Sequence, residues 1–290
     1  MRWRSAKLLL VTVVLLGSGV VARADTPQDG AWRILQAGVA DNSAEVQVAA
    51  VSALGLLLHN PRAAAMAEKA LEDDRPEVRA AAARALGQML STASIPKLRK
   101  ALADEEHSVV MAAAHSLVQL KDPAGYELYY SVLTGERKQG DNLISQEMDI
   151  LKDPKKVAEF CFLEGVGFIP YGGYGLSAAK FVMKQEQGEP AARAAAARVL
   201  ATDPDPQSRE ALVRAVSDKS WLVREAALAA IARRADPSLL GRIRAAMSDE
   251  NDRVRYTAAA AVIRLTDVRE TKQGSKQPWS RAQNQHQNVG

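Results

Sequence analysis

Four histidines, one cysteine and a recurring set of aspartate–arginine pairs are the side chains of this 290-residue sequence with types suited to chemistry. A di-iron centre built from adjacent histidine–glutamate pairs would need a carboxylate beside each imidazole. The histidines stand instead as His59-Asn60, His107-Ser108, His115-Ser116 and His286-Gln287. No H-E-x-x-H, G-x-S-x-G or phosphate-loop pattern occurs. The expectation is a non-enzyme with no catalytic residue, no metal and no cofactor. His107 reads as a first-turn surface residue and His115 as a helix-face residue. Cys161 lies in VAEFCFLEG, which supplies no basic or histidine neighbour to lower a thiol pKa. It reads as a small buried hydrophobe, and as the only cysteine it forms no internal disulfide.

The charged pairs have a spacing. Arg79, Arg193, Arg224 and Arg255 are each preceded, six residues earlier, by Asp73, Gln187, Asp218 and Asp249. A carboxylate at that distance can sit near a helix N-terminus and offset its dipole, and a guanidinium fork can take a carboxylate through two hydrogen bonds. Asn42/Val48 and Asp104/Val110 depart from the pattern, so a continuous ladder is not expected. The structural set is therefore Asp73, Arg79, Asp218, Arg224, Asp249 and Arg255, weighed against arginines lining an anion-binding face. Exposed pairs of this kind would add little stability.

The elements that carry these pairs are tiles. PEVRAAAARALGQ, HSVVMAAAHSLVQ, PAARAAAARVLAT, SWLVREAALAAIA and DRVRYTAAAAVIR align on Val78, Val109, Ala192, Val223 and Val254. The intervals are 31 residues except for 83 between Val109 and Ala192, and Val46 stands 32 before Val78. Four and eight residues after the anchors come Ala82 and Leu86, Ala113 and Leu117, Ala196 and Leu200, Ala227 and Ile231, Ala258 and Val262. That spacing is one face of a helix. A second helix follows, marked by Leu98 and Leu102, Tyr129 and Leu133, Leu212 and Val216, Ile243 and Met247. Proline opens several of them, where its missing N–H needs no partner. Leu35 and Val39 mark an N-terminal half-repeat.

A two-helix unit of about 31 residues repeated this often predicts an all-α fold, an α-α superhelix held together by neighbour-to-neighbour burial. The tiles resemble HEAT-like repeats of the short bacterial kind, the type associated with phycobilin lyases, within the armadillo-type solenoids. The resemblance covers residues 30 to 133 and 188 to 268. It implies a right-handed superhelix with a concave, partner-binding face. It also implies that the repeated aspartate and arginine knit the inter-repeat turn to the first helix. Such repeats serve many functions, so the resemblance speaks to fold.

The 83-residue interval places a divergent, enlarged repeat at 134–187, with KDPKKVAEFCFLEG as its first helix and LSAAKFVMKQEQ as its second. Between them GVGFIPYGGYG, residues 165 to 175, combines five glycines with Phe168, Ile169, Tyr171 and Tyr174. An ordered loop filling a gap in the solenoid is one reading. A partner surface is another, since aromatics bury large area at hot spots and insertions project from the binding face of repeat proteins. Peripheral contact with a membrane is a third. Trp32 and Trp221 read as packing residues at helix starts. Residues 271–290, including Trp279, read as a disordered polar tail.

The chain opens MRWRSAK, then LLLVTVVLLGSGVV, then Ala22 and Ala24 about Arg23, the pattern of a signal peptide over residues 1–24. The apolar run of 14 residues is short for a hydrocarbon core that needs about 20. Cleavage near Ala24 would send the solenoid of residues 25–270 to the periplasm or outside the cell. The 38 basic and 34 acidic residues suggest an alkaline protein, but losing Arg2, Arg4, Lys7 and Arg23 leaves 34 of each. Nucleic acid, which favours a net basic surface, is accordingly not an expected partner. The leading reading is an exported, non-enzymatic scaffold of open architecture, a monomer that binds another protein. The alternatives are a lyase-like accessory enzyme with a ligand cleft near 161–181 and, less favoured, a nucleic-acid-binding solenoid.

Overall fold

The computed structural model of the chain describes residues 26–134 and 188–274, with the side chains of 132, 133 and 188 left aside. Those residues form helices joined by short turns, with no strand among them. The helices are α1 (Pro27–Val39), α2 (Ala44–Leu54), α3 (Pro61–Ala70), α4 (Pro76–Gln88), α5 (Ile95–Ala101), α6 (His107–Gln119) and α7 (Pro123–Thr134). After residue 187 come α8 (Gly188–Val199), α9 (Pro206–Ala215), α10 (Trp221–Arg234), α11 (Leu240–Ile243) and α12 (Asp252–Gly274). Helices α2, α4, α6, α8, α10 and α12 are the anchor helices of the tiles. Helices α3, α5, α7, α9 and α11 are second helices, the last flanked by 3-10 turns at Pro237–Leu239 and Arg244–Ser248. The enlarged repeat expected at 134–187 and the signal peptide at 1–24 lie outside the described residues, apart from Thr134, which ends α7.

Helix α4 shows how a sequence with so much alanine specifies a packed tile. Pro76 opens it at a position where no N–H is needed. Val78, Ala82 and Leu86 are fully buried, and burying a side chain such as Leu86 is worth about 1.5–3 kcal/mol. The small residues serve the sides. Ser116 on α6 donates through Oγ to the Ala83 carbonyl at 2.8 Å. A Cβ at Gly87 would lie 2.6 Å from that of Ser116, so only glycine permits this approach. Left-handed residues, with φ of 52° to 58°, follow four of the anchor helices: Leu90 after α4, Lys121 after α6, Ala235 after α10, and His59 a turn beyond α2.

Successive anchor helices stack directly on one another, α8 on α10, α10 on α12, α2 on α4 and α4 on α6. Second helices dock on anchor helices instead, α3 on α4, α5 on α6 and α9 on α10. Because the anchor helices are the ones packed extensively on their counterparts in neighbouring repeats, they form the more closely stacked row, which in a curved array lies on the inner side.

The expected open array is corrected at one junction. α12 packs on α2 as one anchor helix on the next, and α1 packs on both α12 and α2. The half-repeat at the N-terminal end supplies the second helix that α12 lacks, so one repeat is assembled from the two distant segments 27–39 and 252–274. The physical reason is burial. α12 has Val254, Ala258, Val262 and Ile263 fully enclosed, more apolar surface than α10 alone could cover.

Three local expectations also change. Ala192 and Ala196 are exposed rather than buried, and the core residues of α8 are Ala194 and Ala197, which face α10. Residues 271–274, expected to belong to the polar tail, are helical within α12, and the rest of that expected tail lies outside the described residues. Trp32 is buried beneath the Arg62 guanidinium, 4.2 Å from the ring centroid, but it lies within α1, and Trp221 at the start of α10 is 37% exposed.

Candidate functional site

The repeated charges form a staggered clasp along one edge of the array. Asp41, Asp73, Asp104, Asp218 and Asp249 each accept the backbone N–H two residues ahead, at 2.7–3.0 Å. This side-chain turn sets the chain's entry into the following anchor helix. The arginine of each tile reaches in two directions. Arg79 NH1 donates to the carbonyls of Asp73 and Asp74 in its own turn, at 2.9 and 3.0 Å. Its Nε and NH2 donate to both oxygens of Asp104, the aspartate of the following repeat, at 2.8 Å each. Arg224 repeats this with the Asp218 carbonyl and the Asp249 carboxylate, and Arg193 grips Asp218.

The arginine is therefore knit to its own turn through a backbone carbonyl, while its carboxylate partner belongs to the next tile. Arg255, on the last anchor helix, bonds the Asp249 carbonyl and the Asp252 carboxylate. The register of the first tile is also corrected. Asp41 and Gln47, rather than Asn42 and Val48, occupy the paired positions, and Gln47 Nε2 donates to Asp73 at 3.0 Å. A one-residue longer spacing between the first two tiles displaced the alignment.

These groups are committed to the fold. The Arg79–Asp104 and Arg224–Asp249 side chains are 12–14% exposed, which corrects the expectation of weak surface pairs for these two, whereas Arg193 in the Asp218 pair is 42% exposed. Burial pushes Asp104, Asp218 and Asp249 upward, but bonds from the arginines and backbone N–H groups outweigh it and hold all three below the usual carboxylate range. Asp73 is lowered to about 2, chiefly by the Arg75 guanidinium. Sequence reasoning missed the matching pair on second helices, Arg99 Nε and NH2 to Asp122 at 3.0 and 2.7 Å. Its residues fall outside the anchor-helix period.

The inner stripe of the anchor helices carries different residues. On α8, α10 and α12 it presents Arg198, Glu225, Arg233, Arg253 and Arg264. Arg198 and Arg253 both lie within electrostatic reach of Glu225, and Arg198 within reach of Arg233. Burial nevertheless pushes the Glu225 carboxyl above its ordinary value. The Arg264 Nε is buried without a hydrogen-bond partner.

At the junction of α1, α3 and α12, Gln28 Nε2 and Asn60 Nδ2 donate to the two oxygens of Asp267, at 2.8 and 3.1 Å. They flank a cleft of about 540 Å³ lined by His59, Asn60, Arg264, Asp267, Thr271 and Lys272 among others. Burial raises the Asp267 pKa against the pull of those two bonds.

The sequence-predicted partner residues Phe168, Ile169, Tyr171 and Tyr174 lie outside the described residues, as does Cys161. His107 opens α6, and His115 is half-buried on that helix with a ring nitrogen 3.0 Å from Gln119 Nε2. Among the described residues no group of three histidine, cysteine, aspartate or glutamate side chains could hold a metal ion, and no helix is long and apolar enough to cross a membrane.

A search of curated proteins returns no match. Among solved structures, human deoxyhypusine hydroxylase in complex with glycerol is similar at 18% identity, covering 83% of this chain and 97% of that one, with a TM-score of 0.33. The complex of CpcE and CpcF of phycocyanin lyase from Nostoc sp. PCC7120 matches at 19% identity over 92% and 99%, with a TM-score of 0.32. A designed armadillo repeat protein matches at 17% over 80% and 98%, with a TM-score of 0.26. The HEAT-repeat family model matches residues 33–127 and 183–264, the same two blocks in which the tiles and their clasps recur. The chain belongs to the HEAT-repeat family.

Proposed function

We propose that the mature chain is a non-enzymatic helical-repeat scaffold that binds another protein, exported to the periplasm after cleavage near Ala24. The observation that carries the reading is the continuous inner surface made by stacked anchor helices, with the clasp charges turned to the edge and used in folding. An extended, rigid surface of this kind suits recognition of a macromolecule, because its side chains are held in register at little entropic cost. Export is supported by the basic, apolar and small-residue order of residues 1–24.

Crosslinking mass spectrometry on the protein in its native cells tests this reading, comparing wild type with a Phe168→Ala, Tyr171→Ala, Tyr174→Ala variant that has been shown to fold. A protein partner captured by wild type is the expected result, and its selective loss in the variant would place recognition on residues 165–175. No captured protein in either sample would overturn the scaffold reading. N-terminal sequencing of the periplasmic fraction should return a chain beginning at Asp25. An intact Met1 in a membrane fraction would overturn export with cleavage.

A further inference from the structure

The geometry points to the inner face of α8, α10 and α12 as a docking surface for an acidic protein segment; this rests on the scaffold reading above and gives its partner a chemistry. Four arginines, Arg198, Arg233, Arg253 and Arg264, share this face with two carboxylates, Glu225 and Asp267, the second near Arg264 at the α1 junction and already taken by Gln28 and Asn60. The excess is local, since charges on the mature chain balance. On the corresponding stripe of α2 and α4 the only ionised groups are Glu45, Glu77 and Arg84.

Several arginines elsewhere in the described residues are engaged. Arg75, Arg79, Arg99, Arg193, Arg224 and Arg255 are each bound to a carboxylate, and Arg62 lies over Trp32. None of the four inner-face guanidinium groups makes a side-chain hydrogen bond or ion pair to a described residue. Arg198 and Arg233 are exposed, and Arg253 and Arg264 half-buried. Arg198 and Arg233 are close enough to repel each other, a cost that an incoming carboxylate relieves.

Complementarity of this kind steers encounter and sets specificity. The choice of a protein segment over nucleic acid follows from the neighbours. Single-stranded nucleic acid relies on several exposed aromatic platforms for its bases, whereas α8, α10 and α12 carry only Trp221, 37% exposed at the start of α10, and Tyr256, which is buried against α1 and α2. Between the arginines, Leu222 and Ala229 are apolar and half-buried, which suits contact with a peptide.

The test uses the full mature chain and a fluorescein-labelled decamer of glutamate, read by fluorescence anisotropy. The peptide should bind, more weakly as salt rises, and Arg198→Glu with Arg233→Glu should weaken it by about tenfold or more. Arg214→Glu with Arg244→Glu, which reverses two exposed charges on the second-helix side, should change it by less than about twofold. Glu225→Gln should tighten binding and provides a readout if the double reversal fails to fold. Equal weakening by both double variants, no binding by wild type, or tighter binding of a thymidine oligonucleotide would each overturn the proposal.

Crosslinking in cells separates this inference from the reading beneath it. A partner captured equally by wild type and the Arg198→Glu, Arg233→Glu chain would overturn the inner-face assignment and leave the scaffold intact. No partner for wild type would overturn the scaffold, with the peptide titration still deciding whether the face binds carboxylates.

Discussion

The Arg224 guanidinium takes both oxygens of the Asp249 carboxylate at 2.8 Å while its third nitrogen holds the Asp218 carbonyl 2.9 Å away. One side chain thus ties the turn before its own helix to the turn before the next. Both partners are largely enclosed, at 12% and 13% exposure, so removing one strands the other in a poorly hydrated place. Arg224→Ala should cost about 2–4 kcal/mol, measured by denaturant unfolding. Asp249→Ala should cost a similar amount, and the double variant less than the sum, because the two share one interaction. Additive losses would show that the contacts act independently.

The same clasps predict acid sensitivity. Asp73, Asp104, Asp218 and Asp249 are lowered in the folded chain. A depressed carboxylate contributes stability that is fully present above its unfolded pKa of about 3.9 and is lost as pH falls through the folded value. Stability should therefore decline from about pH 4 toward pH 2, the value to which Asp73 is lowered. Asp73→Asn should be less stable at neutral pH and lose less on acidification. An unchanged pH slope in that variant would remove Asp73 from the account.

Alanine at the centre of a tile is there because nothing larger fits. Ala227 is fully buried, and Ala227→Leu should overpack the core and cost about 1–3 kcal/mol. Ala82→Leu should behave alike. Ala196 occupies the same repeat position but is exposed, so Ala196→Leu should stay within about 0.5 kcal/mol. Thermal melts of the three variants check this. Equal losses at Ala196 and Ala227 would mean that repeat position, rather than burial, sets the cost.

Ala235 closes α10 in the left-handed region, at φ 52°. An alanine there carries a Cβ penalty of about 1 kcal/mol that glycine escapes. Ala235→Gly should therefore be neutral or stabilising by up to about 1 kcal/mol, although it frees the unfolded chain somewhat. A clear loss of stability would indicate that the Ala235 methyl contributes packing.

The tile was readable in the sequence because a 31-residue period repeats the same helical face many times, so each copy checks the others. Val78, Leu86, Val109 and Leu117 stood out in that way, and all four are fully buried. The direction of the clasp was not readable. Arg79 lies six residues after Asp73 and 25 before Asp104, and the sequence contains both spacings without saying which the guanidinium spans. The junction of α1 with α12 was hidden for a different reason. Gln28 and Asp267 are 239 residues apart, they occur once, and no period connects them. Leu35 did signal a helix without a partner, and the pairing of that helix depends on how far the array curves.

That junction should be the most easily perturbed part of the array. A Cβ at Gly38 would run into the Tyr256 ring and come within 2.7 Å of the Ala50 methyl. Tyr256 is 5% exposed against α1 and α2, and moving its ring aside would disturb a close-packed core. Gly38→Ala must therefore push α1 away from α12, at a cost of about 1–3 kcal/mol, despite its higher helix propensity. Asp267→Ala should loosen the same contact by removing the acceptor for Gln28 and Asn60. Because burial raises the Asp267 pKa, its charged form weighs against closure. That contribution favours the folded state most below the unfolded pKa and fades as pH rises through the folded value. Hydrogen exchange followed by mass spectrometry reads the outcome by segment. Both substitutions should speed exchange in α1 and the second half of α12, leaving α4 and α6 protected. If exchange rises uniformly across the array, α1 and α12 unfold with the rest and do not form a separable junction.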